Sequence, residues 1–186
     1  NYIYSHNENS HKIITMGFLE LSFNIFKVCE LEHQILILSI LDNLAKDSVE
    51  NAVAVLKSPL VVEYLPLILI NGNLVLKKKS VFLILTLLKR FRIEGTESES
   101  SNLIYQLIIK VFHSIIDMLE SEDIEMINYT LQVIHYLTSQ MALLDKSQIK
   151  DALSMFDENA RDALCGICYG EYNETTRSLA QNTIIS

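Results

Sequence analysis

Three stretches of this chain can be superimposed on one another, and that repetition restricts the possible folds more than any other feature of the sequence. The first stretch matches the second at an offset of 44 positions, and the second matches the third at an offset of 49. In each stretch the matching residues occupy positions i, i+1, i+4 and i+7, which is the spacing of one apolar face of an α-helix. The three sets are Ile37, Leu38, Leu41 and Leu44, then Val81, Phe82, Leu85 and Leu88, and finally Thr130, Leu131, Ile134 and Leu137. The sequence therefore predicts a repeated helical unit.

The composition of the chain also favours long helices. Its 186 residues are 49% hydrophobic, which suits a folded chain with a large core and not a disordered one. All-β proteins need many tight turns, so the presence of only five Gly and two Pro favours helices joined by short polar connections. The longest uncharged run near the middle, Tyr64 to Leu76, is shorter than the roughly 20 residues that a membrane span needs, and no span is predicted.

Charge and cysteine usage limit the classes of function and compartment. The net charge of −8 argues against a surface for duplex nucleic acid, because contacts with phosphates require clustered Lys and Arg. Three cysteines, an odd number, fit a reducing compartment better than a disulfide-linked scaffold. The polar first dozen residues contain no visible signal peptide. A cytoplasmic or nuclear location is therefore expected, and whether the chain is part of a longer array stays open.

Apolar periodicity and capping residues divide the chain into a flexible lead-in over 1–12 and one helical domain over 13–186. A polar loop is predicted at 94–101. Asn71-Gly72-Asn73 should stop a helix through a left-handed glycine, and Pro66 should kink or divide the helix that precedes this stop. Residues Ser48 (or Asp47), Ser58, Ser121, Ser147 and Asp157 are predicted N-caps. The predicted helices are 12–30, 32–45, 47–56, 59–70, 74–92, 102–120, 123–140, 146–155, 157–169 and 174–185.

The rhythm of short, medium and long helices at 47–56, 59–70 and 74–92 resembles one armadillo repeat, and residues 102–140 resemble a two-helix HEAT unit. This resemblance implies an all-α, right-handed α-α superhelix of about four repeats. A compact helical bundle is the alternative architecture. Armadillo and HEAT-like proteins are scaffolds, so the resemblance implies a non-catalytic adaptor within a larger complex. Such an adaptor binds a peptide or a partner protein through its groove or through an exposed repeat end.

In armadillo-like folds the last helix of each repeat lines the concave groove, so the stripe opposite the core should face the partner. The spacing i, i+4, i+7 and i+11 keeps each stripe on one helical face. The three stripes are Ile35, Ser39, Asp42 and Lys46, then Lys79, Leu83, Thr86 and Arg90, and finally Asn128, Gln132, His135 and Ser139. Their amide and hydroxyl groups can bind the backbone of a peptide or pack against a partner helix. A solvated polar face without a ligand is the alternative interpretation.

A basic helix supports a second functional hypothesis. Six basic residues lie on one predicted helix, and they could bind RNA, phosphate or an acidic peptide. Charge balance with neighbouring acidic repeats and favourable interaction with the helix dipole explain the same residues without a ligand. The six residues are Lys77, Lys78, Lys79, Lys89, Arg90 and Arg92.

Neither an active site nor a cofactor site is predicted. Cys165 and Cys168 form a CxxC pair, but no second pair of cysteines or histidines completes the four ligands of a zinc site. The sequence contains neither a nucleophile motif nor a phosphate-binding glycine-rich loop. The apolar segments Phe18–Val28 and Leu179–Ile185 are candidates for contacts with further repeats or another subunit, and a homodimer or an obligate complex is plausible.

Overall fold

A computed structural model describes residues 2–91, 99–140, 150, 154 and 156–185, and within these ranges every regular element is a helix. The chain forms two compact units, Asn1–Phe91 and Arg92–Ser186. The first unit contains α1 (Tyr2–Thr15), α2 (Phe18–Phe26), α3 (Leu31–Asp47), α4 (Val49–Leu56), a π-helical turn (Leu60–Tyr64) that continues into α5 (Leu65–Asn71), and α6 (Leu74–Arg90). The second contains α7 (Glu99–Ile116) followed by a 3-10 turn (Asp117–Glu120), α8 (Ile124–Gln140), α9 (Glu158–Tyr169) and α10 (Glu174–Ile185).

The N-terminal region differs from the predicted flexible lead-in over 1–12. Helix α1 begins at Tyr2, and the predicted helix over 12–30 is two helices separated at Gly17. Gly17 has φ +85°, a left-handed conformation that glycine adopts without steric cost, and it ends the regular path of the first helix. Helix α1 packs on α2, α3 and α4. These contacts stabilise the helix, whose polar sequence alone would not.

The repeated apolar residues form the cores of the two units, as the periodicity predicted. In the first unit α3 packs along α6, and α6 also contacts α4 and α5. In the second unit Thr130, Leu131, Ile134 and Leu137 of α8 are all buried. Phe82 is the exception among the matched positions, because its side chain is only half-buried.

Two of the predicted helix caps are confirmed. The Ser48 hydroxyl accepts a hydrogen bond from the Asn51 N–H at 3.1 Å, and Asp157 Oδ1 accepts one from the Ala160 N–H at 2.9 Å. Both bonds satisfy an N–H group that has no partner within its own helix. Residue 147, another predicted cap, lies outside the described residues.

Two predicted caps are wrong. The Ser58 hydroxyl donates to the Val55 carbonyl at 2.7 Å, so it bonds back to the preceding helix and caps nothing ahead. At the start of α8, Asp123 Oδ1 accepts bonds from the Glu125 and Met126 N–H groups, at 2.9 and 3.1 Å, and serves as the cap. The predicted cap, Ser121, accepts instead from the Asp123 N–H at 3.1 Å, before the helix begins. A carboxylate at this position also interacts favourably with the positive end of the helix dipole.

The turn between α5 and α6 stops the helix as predicted, but through a different conformation. Gly72 has φ −70° and ψ 162°, which is extended and not left-handed. A Cβ atom there would lie 2.4 Å from the carbonyl oxygen of Ile68, so close packing is what requires glycine. The predicted division at Pro66 is confirmed, because the π-helical turn gives way to α5 immediately before that residue.

In the second unit α8 packs on α10 and on the 3-10 turn, and α9 packs on α10. The Phe112 and Phe156 rings meet edge to face, with centroids 5.0 Å apart. Most of the predicted polar loop, residues 94–98, lies outside the described residues, whereas 99–101 belong to the first turn of α7. The predicted helix at 146–155 also lies mostly outside them.

No single helix in the described part of the chain is long and apolar enough to cross a bilayer. Helix α4 and the segment Leu60–Asn71 meet that criterion only as a pair, and their axes are bent by 53°. Val55, Leu56, Leu60 and Leu65 of this pair are buried within the first unit.

Candidate functional site

The predicted partner-facing stripe of the first unit is largely internal. Leu83 has 0% exposure, and Asp42 and Thr86 each have 7%. Lys79 is half-buried near the start of α6, and Arg90 is exposed at its end. The prediction that Leu83 lies on an open face is therefore wrong, because α6 is surrounded by α3, α4 and α5 and buries most of its circumference.

Asp42 and Thr86 hydrogen-bond directly to each other. Thr86 Oγ1 donates to Asp42 Oδ1 at 2.6 Å, and the two residues are 44 positions apart, which is the offset of the repeat itself. Equivalent positions on α3 and α6 are thus joined by a short hydrogen bond to a carboxylate, which is stronger than one between neutral groups. We expect this bond to align the two helices.

Lys46 completes the polar cluster around Asp42. Its ammonium group pairs with Asp42 Oδ2, and the same nitrogen lies 4.5 Å from the centroid of the Phe82 ring. The lysine therefore compensates the buried carboxylate and covers the accessible face of a half-buried aromatic ring. Because its members satisfy one another, this cluster holds the unit together more than it offers groups to a ligand.

The basic residues of α6 fall into two groups. Lys77, Lys78 and Lys79 lie half-buried in its first two turns, whereas Lys89 and Arg90 are exposed in its last turn. About ten residues of helix, roughly 15 Å, separate the groups. Arg92 lies outside the described residues. The helix does not carry one continuous basic stripe.

The predicted stripe on α8 is more accessible than the one on α6. Gln132 and His135 are half-buried, and Ser139 is exposed. The Nδ1 atom of His135 is buried and has no hydrogen-bond partner among the described residues. This row of amide, imidazole and hydroxyl groups offers both donors and acceptors.

Asn128, at the N-terminal end of this row, is tied to the neighbouring helix. The Thr176 hydroxyl of α10 lies 2.9 Å from Asn128 Oδ1 and 3.0 Å from Asn173 Oδ1, and it can donate its single proton to either. Asn173 also caps α10 by accepting from the Thr176 N–H at 2.9 Å. Asn128 therefore links α8 to α10, in the way that Asp42 links α3 to α6.

The row on α8 continues to a residue that the sequence-based stripe omitted. Glu125 lies three positions before Asn128 and seven before Gln132, so it shares their face. Its carboxylate is exposed, and Oε1 accepts a hydrogen bond from the Tyr129 hydroxyl at 2.8 Å. The exposed carboxylates of Glu122 and Glu174 lie at the N-terminal ends of α8 and α10. This end of the row is acidic.

Charge is distributed unevenly between the two units. Residues 92–186 contain 15 Asp and Glu against six Lys and Arg, a net charge of −9, whereas residues 1–91 contain eight against nine. The overall value of −8 conceals this division. A count of charge for each half of the chain would have revealed it from the sequence.

The cysteines and histidines form no reactive centre within the described residues. Cys29, Cys165 and Cys168 are free thiols, and no group of three or more His, Cys, Asp and Glu side chains in these ranges is placed to hold a metal ion. Burial raises the pKa of the Cys168 thiol, and the neighbouring Cys165 raises it further. The Cys168 thiol is therefore a weaker nucleophile than an exposed cysteine at neutral pH.

The chain is similar to a designed armadillo repeat protein, YIII(Dq.V1)4CPAF, in complex with the peptide (KR)4, with a TM-score of 0.50. The likeness covers 96% of this chain and 85% of that chain, at 14% sequence identity. No family model matches the sequence, and no curated protein matches it. The fold is thus all-α and armadillo-like, as the repeated helical unit and its resemblance to armadillo repeats implied.

Proposed function

We propose that this protein is a non-catalytic scaffold that binds a basic peptide, or a basic segment of a partner protein, along the exposed face of α8. The observation that carries the proposal is the accessible row of Glu125, Gln132, His135 and Ser139 in a unit with a net charge of −9. The similar designed armadillo protein holds the basic peptide (KR)4, which supports the same class of ligand.

Three groups in the row have a defined part in this proposal. Gln132 and Ser139 carry amide and hydroxyl groups that can hydrogen-bond to the backbone of an extended peptide, which presents an N–H and a C=O at every residue. Glu125 supplies the negative charge that attracts Lys or Arg. The acidic potential of the whole unit accelerates the encounter with a basic ligand, and salt screens this attraction.

The test uses fluorescein-labelled (KR)4 and a charge-reversed (DE)4 peptide, titrated with the full chain at 50 and 200 mM NaCl and followed by fluorescence anisotropy. Saturable binding of (KR)4 and none of (DE)4 is expected. Glu125→Lys should weaken binding about tenfold, equivalent to about 1.4 kcal/mol. The matched control is Glu158→Lys, which makes the same charge change on the exposed face of α9.

The control separates a site from a general charge effect. Equal losses for Glu125→Lys and Glu158→Lys would show that (KR)4 senses only the net charge, and this would overturn the assignment to α8. Absence of saturable binding by the folded protein would overturn it too.

The nucleic-acid hypothesis has its own arm in the same experiment. RNA and duplex DNA of equal length replace the peptide, and the salt dependence of binding is measured. Tight binding with a steep salt dependence, lost when Lys77, Lys78 and Lys79 become Glu, would favour nucleic acid over the basic peptide. We expect weak binding that these changes leave unaltered, because the basic residues of α6 are divided between its two ends.

A further inference from the structure

A cavity of about 330 Å³ lies in the first unit. It is built where α2 ends and α3 begins and where α5 ends and α6 begins. Phe26, Ile68 and Leu76 are buried and form its apolar floor, and Tyr64 and the half-exposed Leu67 form its walls. Its size is at the lower end of the range found for ligand-binding pockets.

Contacts within the first unit hold the cavity in shape. Gln34 Nε2 donates to the Phe26 carbonyl at 2.9 Å, which joins the start of α3 to the end of α2. The rings of Phe26 and Tyr64 meet edge to face with centroids 5.6 Å apart. Gly72 brings the chain against Ile68 more closely than any other residue could. A preformed cavity of this kind needs little reorganisation to accept a ligand.

Polar groups at the cavity are available to a ligand. Tyr64 and Asn71 are among the lining residues, and neither the Tyr64 hydroxyl nor the Asn71 side-chain amide makes a hydrogen bond within the described part of the chain. A carboxamide can pair simultaneously with a backbone N–H and a backbone C=O. An apolar floor with an amide at its edge therefore suits an apolar side chain together with the peptide backbone that carries it.

Two carboxylates lie one helical turn along the chain from residues that line the cavity. Glu30 precedes Gln34 by four residues at the start of α3, and Glu63 precedes Leu67 by four residues, so each lies one helical turn from a lining residue. Both are exposed, and neither forms an ion pair among the described residues. The nearby Lys27 places its ammonium group 3.8 Å from the centroid of the Phe23 ring.

We propose that this cavity binds one bulky apolar side chain of a partner peptide, and that Glu30 and Glu63 select peptides with Lys or Arg on either side of that anchor. The apolar floor selects a bulky apolar side chain as the anchor, and the two carboxylates select basic residues on either side of it. None of the residues that form this site belongs to α8, so its test is independent of the function proposed above.

The exposed apolar area near the cavity favours a peptide over a folded subunit. Leu67 lines the cavity, and Val28, Leu31, Leu74 and Val75 lie within three residues of a lining residue along the chain. These five exposed side chains offer roughly 500 Å² if a fully exposed apolar side chain presents roughly 200 Å². A stable dimer of folded proteins buries about 800 Å² on each partner. The smaller area matches a short segment with one central anchor.

The test uses the full chain and two labelled peptides that differ at one residue. Lys-Arg-Phe-Arg-Lys carries the anchor, Lys-Arg-Ser-Arg-Lys lacks it, and both have blocked termini. Anisotropy titrations should show that the Phe peptide binds at least about tenfold more tightly, because burying an aromatic side chain contributes that much. A Glu-Asp-Phe-Asp-Glu peptide should bind more weakly than either.

Two surface variants locate the binding. Leu67→Lys should abolish the preference for Phe over Ser, whereas Ile70→Lys, at a similarly exposed position of α5 that does not line the cavity, should retain it. Glu63→Lys should weaken the binding of both basic peptides, and Glu20→Lys on α2 serves as its control. Equal affinities for the Phe and Ser peptides, or equal effects of Leu67→Lys and Ile70→Lys, would overturn the proposal.

A further measurement needs no variant. In methyl-labelled wild-type protein, N-acetyl-phenylalanine amide should shift the methyl resonances of Ile68 and Leu76 and leave those of Ile184 unchanged. Unchanged resonances of Ile68 and Leu76 at saturating ligand would overturn the proposal. So would concentration-dependent self-association that Leu67→Lys abolishes, since it would assign this surface to a second copy of the chain.

Discussion

The hydrogen bond between Thr86 and Asp42 should contribute more to the stability of the first unit than the ion pair between Lys46 and Asp42. The Asp42 side chain is 10% exposed and receives the Thr86 hydroxyl at 2.6 Å, whereas the Lys46 side chain is 47% exposed. Buried hydrogen bonds to charged groups contribute about 1.5–3 kcal/mol, but an i, i+4 ion pair near the surface contributes only about 0.5 kcal/mol.

Two double-mutant cycles measure this difference. The first combines Thr86→Val with Asp42→Ala, and the second combines Lys46→Met with Asp42→Ala. Thr86→Val keeps the shape of the side chain while leaving the carboxylate short of a donor, so it should cost about 2 kcal/mol. The coupling energy of the first cycle should be about 1.5–3 kcal/mol, and that of the second about 0.5 kcal/mol.

Urea unfolding followed by circular dichroism gives the free energies. Because the chain forms two units, amide hydrogen exchange in α3 and α6 must show that the measured transition belongs to the first unit. A coupling below about 0.5 kcal/mol between Thr86 and Asp42 would be indistinguishable from additivity. It would refute the idea that this bond aligns the two repeats, and a larger coupling with Lys46 would reverse the ranking.

Further substitutions test other parts of the structure. Phe82→Ala should lower the free energy of unfolding by about 1–2 kcal/mol, because the ring is only half-buried. Leu85→Ala should lower it by about 2–5 kcal/mol, because that side chain is fully packed, and thermal melts should show the larger shift for Leu85→Ala. Asn128→Ala should lower the free energy of unfolding by about 1 kcal/mol through loss of an interhelical bond, as a urea titration would measure. Because burial raises the pKa of Cys168, its stabilising contribution is complete below the unfolded pKa of about 8.5 and is lost as pH rises through the folded value. The urea midpoint should therefore fall above about pH 9, and Cys168→Ala should reduce that fall.

The helices and their core faces could be predicted because each repeat carries its own apolar stripe. The positions Leu41, Leu85 and Ile134 are all buried, as the repeat offsets required. The sequence-based register misplaced Phe82, whose ring lies beneath Lys46 at the edge of the core. Periodicity identifies the face of a helix but not how far a neighbouring helix extends over it.

The prediction that α6 has an open face is wrong, and the sequence itself shows why. From Val81 to Leu88 the helix is apolar on nearly every side, and such a helix is usually enclosed. The spacing i, i+4, i+7 and i+11 placed Leu83 on the open face although its side chain is apolar. Along α8 the residues Gln132, His135 and Ser139 are polar and share one face, and there the same spacing found side chains that remain accessible.

The pairing of Asp42 with Thr86 shows why a polar stripe on a repeat protein has two uses. A polar group at a repeated position can bond to its equivalent on the next helix, which stabilises the stack, or it can remain available to a ligand. Asp42 and Thr86 take the first course, as Asn128 does with Thr176, whereas Ser139 is exposed and its hydroxyl bonds to the Tyr136 carbonyl of its own helix. Spacing alone cannot distinguish these uses, because both require the same helical face. The distinction depends on whether a complementary group stands opposite, so the search for a ligand is best directed to the part of the stripe where none does.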